Sequence, residues 1–281
     1  MADVEQVLEA ALALGDEGRW QEMAELLAGA TRELDEADPF LLGWLGVAER
    51  ELGNDGAAYD AFKRCLAAEP LDPNLLAMAG AGLAAFDDPD AEGALRAAAL
   101  TGPDQAFARL QYGAYLAREG MFEEALEHLG AAVRLDPEEP GAQSELAIAH
   151  ALRGDHAAAA EGMERTLELA PDDSWTRVLL GLVQTQLGDL EAAAEQLVQA
   201  ALERLEDPEA QLLAALAAAS VGWDDAAQDA LARAEYAPDP LDAELLGEAE
   251  DAVALGSEAA RALLLDTVVP PSLHDRLTQP L

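Results

Sequence analysis

Residues 119–137 read EGMFEEALEHLGAAVRLDP, residues 153–171 read RGDHAAAAEGMERTLELAP, and residues 187–205 read LGDLEAAAEQLVQAALERL. Laid over one another, the three share a register of 34 residues, and the register runs well beyond them. Gly120, Gly154, Gly188 and Gly222 recur at that interval, and Gly53 lies one step of 33 and one of 34 before the first of them. Ala58, Ala91, Ala125, Ala159, Ala193 and Ala227 follow the same spacing. So do Gly46, Ala79, Gly113, Ala147, Gly181 and Ala215, and so do Pro70, Pro103, Pro137 and Pro171. Four residue classes in one register mark an internal repeat, which decides the fold before any single helix is read.

Each class has a physical reason. The glycines fall between two apolar-periodic stretches, where a tight turn ending one helix needs a left-handed backbone. The alanines and the alternating Gly/Ala positions sit inside helices on the apolar face, where a small side chain lets a neighbouring helix approach closely. The prolines close each unit, because the residue before a proline is pushed out of helical geometry. Every unit therefore reads helix, turn, helix, stop.

Composition agrees with an all-α array. Of the 281 residues 51% are apolar but only 5% aromatic, so the core must be built from Ala and Leu rather than large rings. Acids outnumber bases 56 to 16, a formal net charge of -40, and the excess runs along the whole chain. A nucleic-acid partner needs a basic footprint that this surface lacks, and an anionic membrane surface is disfavoured on the same ground. Three readings of the acidity stay open: a self-repelling coat that keeps the array soluble, adaptation to high salt, or attraction of a basic partner. Lys63 is the only lysine, which fits the second reading, although a GC-rich genome would also favour arginine. Cys65 stands alone, so no intramolecular disulfide is expected and a reducing compartment is the simple expectation. The leading residues MADVEQ lack the features of a signal peptide. The longest apolar run, Leu212 to Ala219, is too short to span a bilayer. These features together predict a cytoplasmic protein.

The segments quoted above, with LGNDGAAYDAFKRCLAAEP at 52–70, resemble the second half of the tetratricopeptide repeat. The resemblance covers residues 4 to 240 in seven units, at about 4–37, 39–71, 72–105, 106–139, 140–173, 174–207 and 208–240. It implies a right-handed α-α superhelix, the tetratricopeptide solenoid. In the first unit EGRWQEMAELLAGA keeps the pattern, with Trp20 after the turn. The third departs most: Phe86 stands for the turn glycine and Asp87-Asp88-Pro89-Asp90 follows, so its turn is expected to be distorted. Residues 241–266 read as capping helices over the exposed end of the array, with Ser257 as N-cap of a short final helix. Pro270-Pro271 is expected to end helicity, leaving 267–281 as a tail, either mobile or laid over the solenoid.

Catalytic chemistry finds little footing. None of His128, His150, His156 and His274 has a partner at the i, i+4 spacing of a helical metal pair. His150 and His156 flank Gly154 across a turn, and a core or hydrogen-bonded role suits His150 better than catalysis. Asp87-Asp88, Asp172-Asp173 and Asp224-Asp225 lie at loops or helix starts, where carboxylates cap helices and complement the dipole. Cys65 shares a seat with Ala98, Ala132, Thr166, Ala200 and Ala234 and reads as a packed small residue. With no nucleophile constellation, metal cage or phosphate loop, neither an enzyme nor a cofactor is expected.

The resemblance implies that the first helix of each unit lines a concave groove that holds a peptide. On the register, the groove candidates one residue after each small packing residue are Val47, Gly80, Ala114, Ile148, Leu182 and Leu216. One turn earlier lie Gly43, Leu76, Leu110, Ser144, Val178 and Leu212. Phe40, Trp44, Phe107 and Trp175 add aromatics on first helices, where interfaces favour them; Tyr112 and Tyr115 fall nearer the interhelical seam. The basic groove-side candidates are Arg50 and Arg118. Co-chaperones of this family that grip a carboxylate tail place Lys and Asn at such sites, and this sequence has neither there.

In the sixth unit Val178, Leu179, Leu180, Leu182, Val183 and Leu187 cover more of the helix than packing on neighbours requires. The seventh unit behaves alike, so something covers a second face. The tail, through Val268, Val269, Leu273 and Leu277, a second copy of the chain, or a foreign segment would each serve. The expectation is therefore a scaffold or adaptor, a chaperone among the possibilities, that binds an apolar or amphipathic and Arg- or Lys-bearing segment. The alternative is a self-associating homo-oligomeric scaffold.

Overall fold

The structure, a computed structural model, describes residues 4–33, 38–238 and 241–278. The boundary expected between the first two repeats falls largely outside these residues, as do the last three positions of the tail. Among the described residues every regular element is helical. The chain divides into two compact units, Met1–Asp136 and Pro137–Leu281.

Unit 1 is built from four helical hairpins: α1 Val4–Asp16 with α2 Trp20–Glu33, α3 Pro39–Glu51 with α4 Asp55–Ala67, α5 Pro73–Ala84 with α6 Asp90–Thr101, and α7 Ala106–Arg118 with α8 Phe122–Leu135. Each helix packs on its hairpin partner, and the first helices α3, α5 and α7 also pack in a row. First and second helices approach closely because they meet at small residues. A Cβ added at Gly46 on α3 would lie 2.5 Å from the Phe62 ring, and one at Gly82 on α5 would lie 2.3 Å from it, so Phe62 of α4 is gripped between two glycines. Gly113 on α7 likewise admits Leu129 of α8, with its missing Cβ 2.7 Å from Leu129 Cγ.

Unit 2 continues the pattern with α9 Pro140–Leu152 and α10 His156–Leu169, α11 Ser174–Leu187 and α12 Leu190–Glu203, and α13 Pro208–Ser220 and α14 Asp224–Glu235. It then adds α15 Ala243–Leu255, α16 Ser257–Leu263, a π-helical stretch Leu264–Val268 and α17 Val269–Thr278. One cluster of buried side chains runs from Ala147 on α9 to Leu277 on α17.

The punctuation follows the chemistry read from the sequence. Gly53, Gly120, Gly154, Gly188 and Gly222 all have φ between 72° and 86°, the left-handed geometry a hairpin turn needs. Pro39, Pro73, Pro140 and Pro208 open their helices, where no N–H is missed. Asp38, Asp72, Asp155, Asp173, Asp189, Asp207 and Asp242 cap helices by accepting backbone N–H bonds, so part of the acidic excess has a local structural use.

Three expectations are corrected. In the third repeat, whose turn was expected to be distorted, a left-handed seat is present, and Asp87 rather than Phe86 takes it at φ 53°. Aspartate is among the few non-glycine residues that tolerate it. Ser257 is the first residue of α16 rather than its N-cap; Gly256 holds that place with φ 102°. Pro270-Pro271 does not end helicity, because the chain enters α17 through the π stretch, where the i→i−4 ladder is already interrupted and the missing N–H groups of the prolines are tolerated.

Candidate functional site

The first-helix rows of the two units carry all the groove candidates, and the two rows differ in what lies on them. In unit 1, Phe40 is 40% and Phe107 38% exposed. Trp44, Val47, Leu76 and Leu110 are half-buried, and Gly43, Gly80 and Ala114 are buried. Trp44 leans on the cluster formed by α1 to α4. Arg50 lies 3.9 Å from Glu51, and Arg118 donates through Nη1 to the Ala114 carbonyl at 3.1 Å, so each guanidinium sits at the C-terminal end of its helix, where the dipole favours a cation. Tyr112 is 7% exposed and stacks edge-on against His128, with ring centroids 4.9 Å apart, which places it in the seam as expected.

In unit 2 the corresponding residues are inaccessible. Ile148, Val178, Leu182, Leu212 and Leu216 are all at most 1% exposed, and Trp175 is half-buried against the same cluster. The cover comes from the chain itself. Helix α17 packs on α11 and reaches α9, while the π stretch, α16 and α15 pack on α13. Val268, Val269, Leu273 and Leu277 enter the cluster, so of the three covers left open by the sequence the tail is the one seen here. Two polar contacts fix the register: Ser272 Oγ donates to Glu209 Oε1 at 2.7 Å, and Arg276 Nη2 donates to Glu209 Oε2 at 2.9 Å. Nothing in the sequence marks Glu209 as an anchor, since one acid among many has no distinguishing pattern.

Other titratable groups are engaged structurally. Cys65 is fully buried with its thiol 3.3 Å from the Pro39 carbonyl, and burial pushes its pKa up to about 12. Lys63 bridges Asp88 at 3.2 Å and Asp90 at 2.5 Å, and the Tyr59 hydroxyl donates to Asp88 at 2.8 Å, which clasps α4 to the turn before α6. Burial, reinforced by Arg109, holds His128 below its ordinary pKa; burial and Arg153 do the same for His150. An open cleft of about 450 Å³ beside α9 and α10 is lined by His150, Gln143, Glu161, Arg165 and Glu168 among others. Among the described residues no three His, Cys, Asp or Glu side chains gather as a metal-binding group, and no helix is long and apolar enough to cross a membrane.

The repeat register, the left-handed turn glycines and the paired helices meet a direct match: the tetratricopeptide-repeat family profile fits residues 116–174. Over those residues the chain carries the tetratricopeptide repeat. Solved structures share the fold. A thermophilic tetratricopeptide-repeat protein from Thermus thermophilus is 26% identical with a TM-score of 0.53, over 64% of this chain and 97% of that one. PilW, a widely conserved type IV pilus biogenesis factor, is 19% identical with a TM-score of 0.62, over 72% of this chain and 94% of that one. A chain of the APC/C hetero-tetramer Cut9–Hcn1 is 18% identical with a TM-score of 0.65, over 79% of this repeat protein but 44% of that chain. At those identities the last two show the fold alone. Comparison with curated proteins finds no match.

Proposed function

We propose that this repeat protein is a non-enzymatic interaction scaffold, and that the first-helix row of unit 1 holds an apolar or amphipathic segment of a partner protein. One observation carries the reading. The register puts the same class of residue on the first helices of both units, yet the row in unit 2 is sealed by its own C-terminal helices while Phe40, Trp44, Val47, Leu76, Phe107 and Leu110 keep accessible surface. Aromatic and aliphatic side chains left accessible on adjoining helices are the usual anchors of a protein contact. The net charge of -40 favours a segment that carries Arg or Lys, because opposite charge speeds encounter.

Self-association through the same row is the alternative. Two chains of that charge repel at low ionic strength, so a foreign basic segment fits better.

The test must leave the core intact, which rules out Leu182→Glu, a carboxylate at a site with no exposure. Trp44→Glu and Leu76→Glu alter half-buried positions on the row, and Leu202→Glu alters a residue 49% exposed away from it. The reading expects the two row variants, folded by circular dichroism, to lose partners that wild type and Leu202→Glu both retain in affinity capture. Retention of the same partners by folded row variants would remove it.

A further inference from the structure

The surface under α17 belongs to unit 2 and is distinct from the unit 1 row, so its occupancy is independent of what that row binds. We propose that α17 is a resident occupant of the unit 2 row, displaced by a partner helix of its own chemistry. That partner is an amphipathic helix with apolar residues at the spacing of Val269, Leu273 and Leu277, and with an arginine at the place of Arg276 to meet Glu209.

The contact between α17 and the unit is one-sided. Val269, Leu273, Arg276 and Leu277 are buried, whereas Pro270, Pro271, His274, Asp275 and Thr278 stay exposed. Spacings of four and eight residues put the three apolar side chains on one stripe, the pattern by which a helix seats in a groove. Its polar hold is concentrated on a single acid, Glu209, which accepts from both Ser272 and Arg276. That hold is also incomplete, since Arg276 is 8% exposed and its Nε is buried without a hydrogen-bond partner. A competing helix that pairs the whole guanidinium would gain where α17 does not.

The backbone entering α17 is built to let go. Leu264–Val268 is π-helical, a local break in the i→i−4 ladder. Pro270 and Pro271 lack N–H groups, so two further rungs are missing at the start of the helix. Fewer backbone bonds therefore oppose a swing at this point than within an uninterrupted helix. Departure would bare Val178, Leu182 and Ile148, which makes an empty row unfavourable and an exchanged occupant the natural outcome.

The experiment uses the full chain and a fluorescein-labelled peptide of residues 264–278. Leu273→Asp with Arg276→Glu in the full chain undocks α17. The labelled peptide should bind that variant at least about tenfold more tightly than wild type, whose row is already occupied, and a peptide carrying Arg276→Glu should lose most of the gain. A folded variant that binds the peptide no better than wild type overturns the proposal. Hydrogen exchange on wild type gives an arm that needs no variant. Amides of Leu273 to Thr278 should exchange through a local opening while those of α11 stay protected; exchange of both only through global unfolding would make α17 a permanent cap and overturn the proposal.

Discussion

Phe62 is fully buried between helices that approach it at glycines, and this sets the sign of alanine substitution. Gly82→Ala places a methyl 2.3 Å from the ring, and overpacking should cost about 1–3 kcal/mol despite the better helix propensity. Gly93, inside α6 with nothing near its missing Cβ, is the opposite case: Gly93→Ala should stabilise by about 1 kcal/mol. Urea midpoints of the two variants check both signs. At the third turn, Asp87→Gly relieves a left-handed aspartate and should stabilise by up to about 1 kcal/mol. Gly46 was legible as a packing residue from its place in the register. Gly82 was not, because its demand comes from the ring of Phe62 on another helix, and no spacing along α5 records that contact. The turn at Asp87 was misplaced by one residue for a related reason. The alanine, Gly/Ala and proline series each step by 33 into the third repeat and by 34 thereafter, and without a glycine there the left-handed seat had no marker.

Among the elements, the clasp of α4 to the turn before α6 depends on an ionised Asp88. The Asp90 backbone N–H, the Tyr59 hydroxyl and Lys63 together hold its carboxyl below the ordinary range of about 4. A carboxyl depressed in the folded state lends stability above its unfolded pKa and loses it as pH falls through the folded value. The gap in denaturation midpoint between wild type and Asp88→Asn should therefore be open at neutral pH and close on acidification. A gap that persists unchanged into acid would show that the carboxylate charge is not what holds the clasp. Helices α1 to α14 were legible because their apolar faces and turns repeat. The helicity of α17 was not, since a double proline is a breaker in any local reading. It is accepted here because it follows directly on a π-helical stretch where the i→i−4 ladder is already interrupted, and because Val269, Leu273 and Leu277 gain burial once the chain is helical.

At the scale of the whole chain, 56 acids against 16 bases make repulsion a standing cost. Raising salt from about 0.01 to about 1 M shortens the screening length from roughly 30 to 3 Å. The melting temperature should rise over that range, and a flat response would show that the acids are spaced widely enough not to repel. The fold could be read from the sequence because a repeat states its architecture several times over. Which first-helix row stays accessible could not, since that depends on where the last helix returns, a contact between Arg276 and Glu209 sixty-seven positions apart. The clasp at Asp88 also gives the molecule an unusual chemical simplicity. The only lysine of these 281 residues is tied to two carboxylates, so acetylation or an amine-reactive probe has one side-chain target among them. Modification there would report the release of one hairpin from its neighbour.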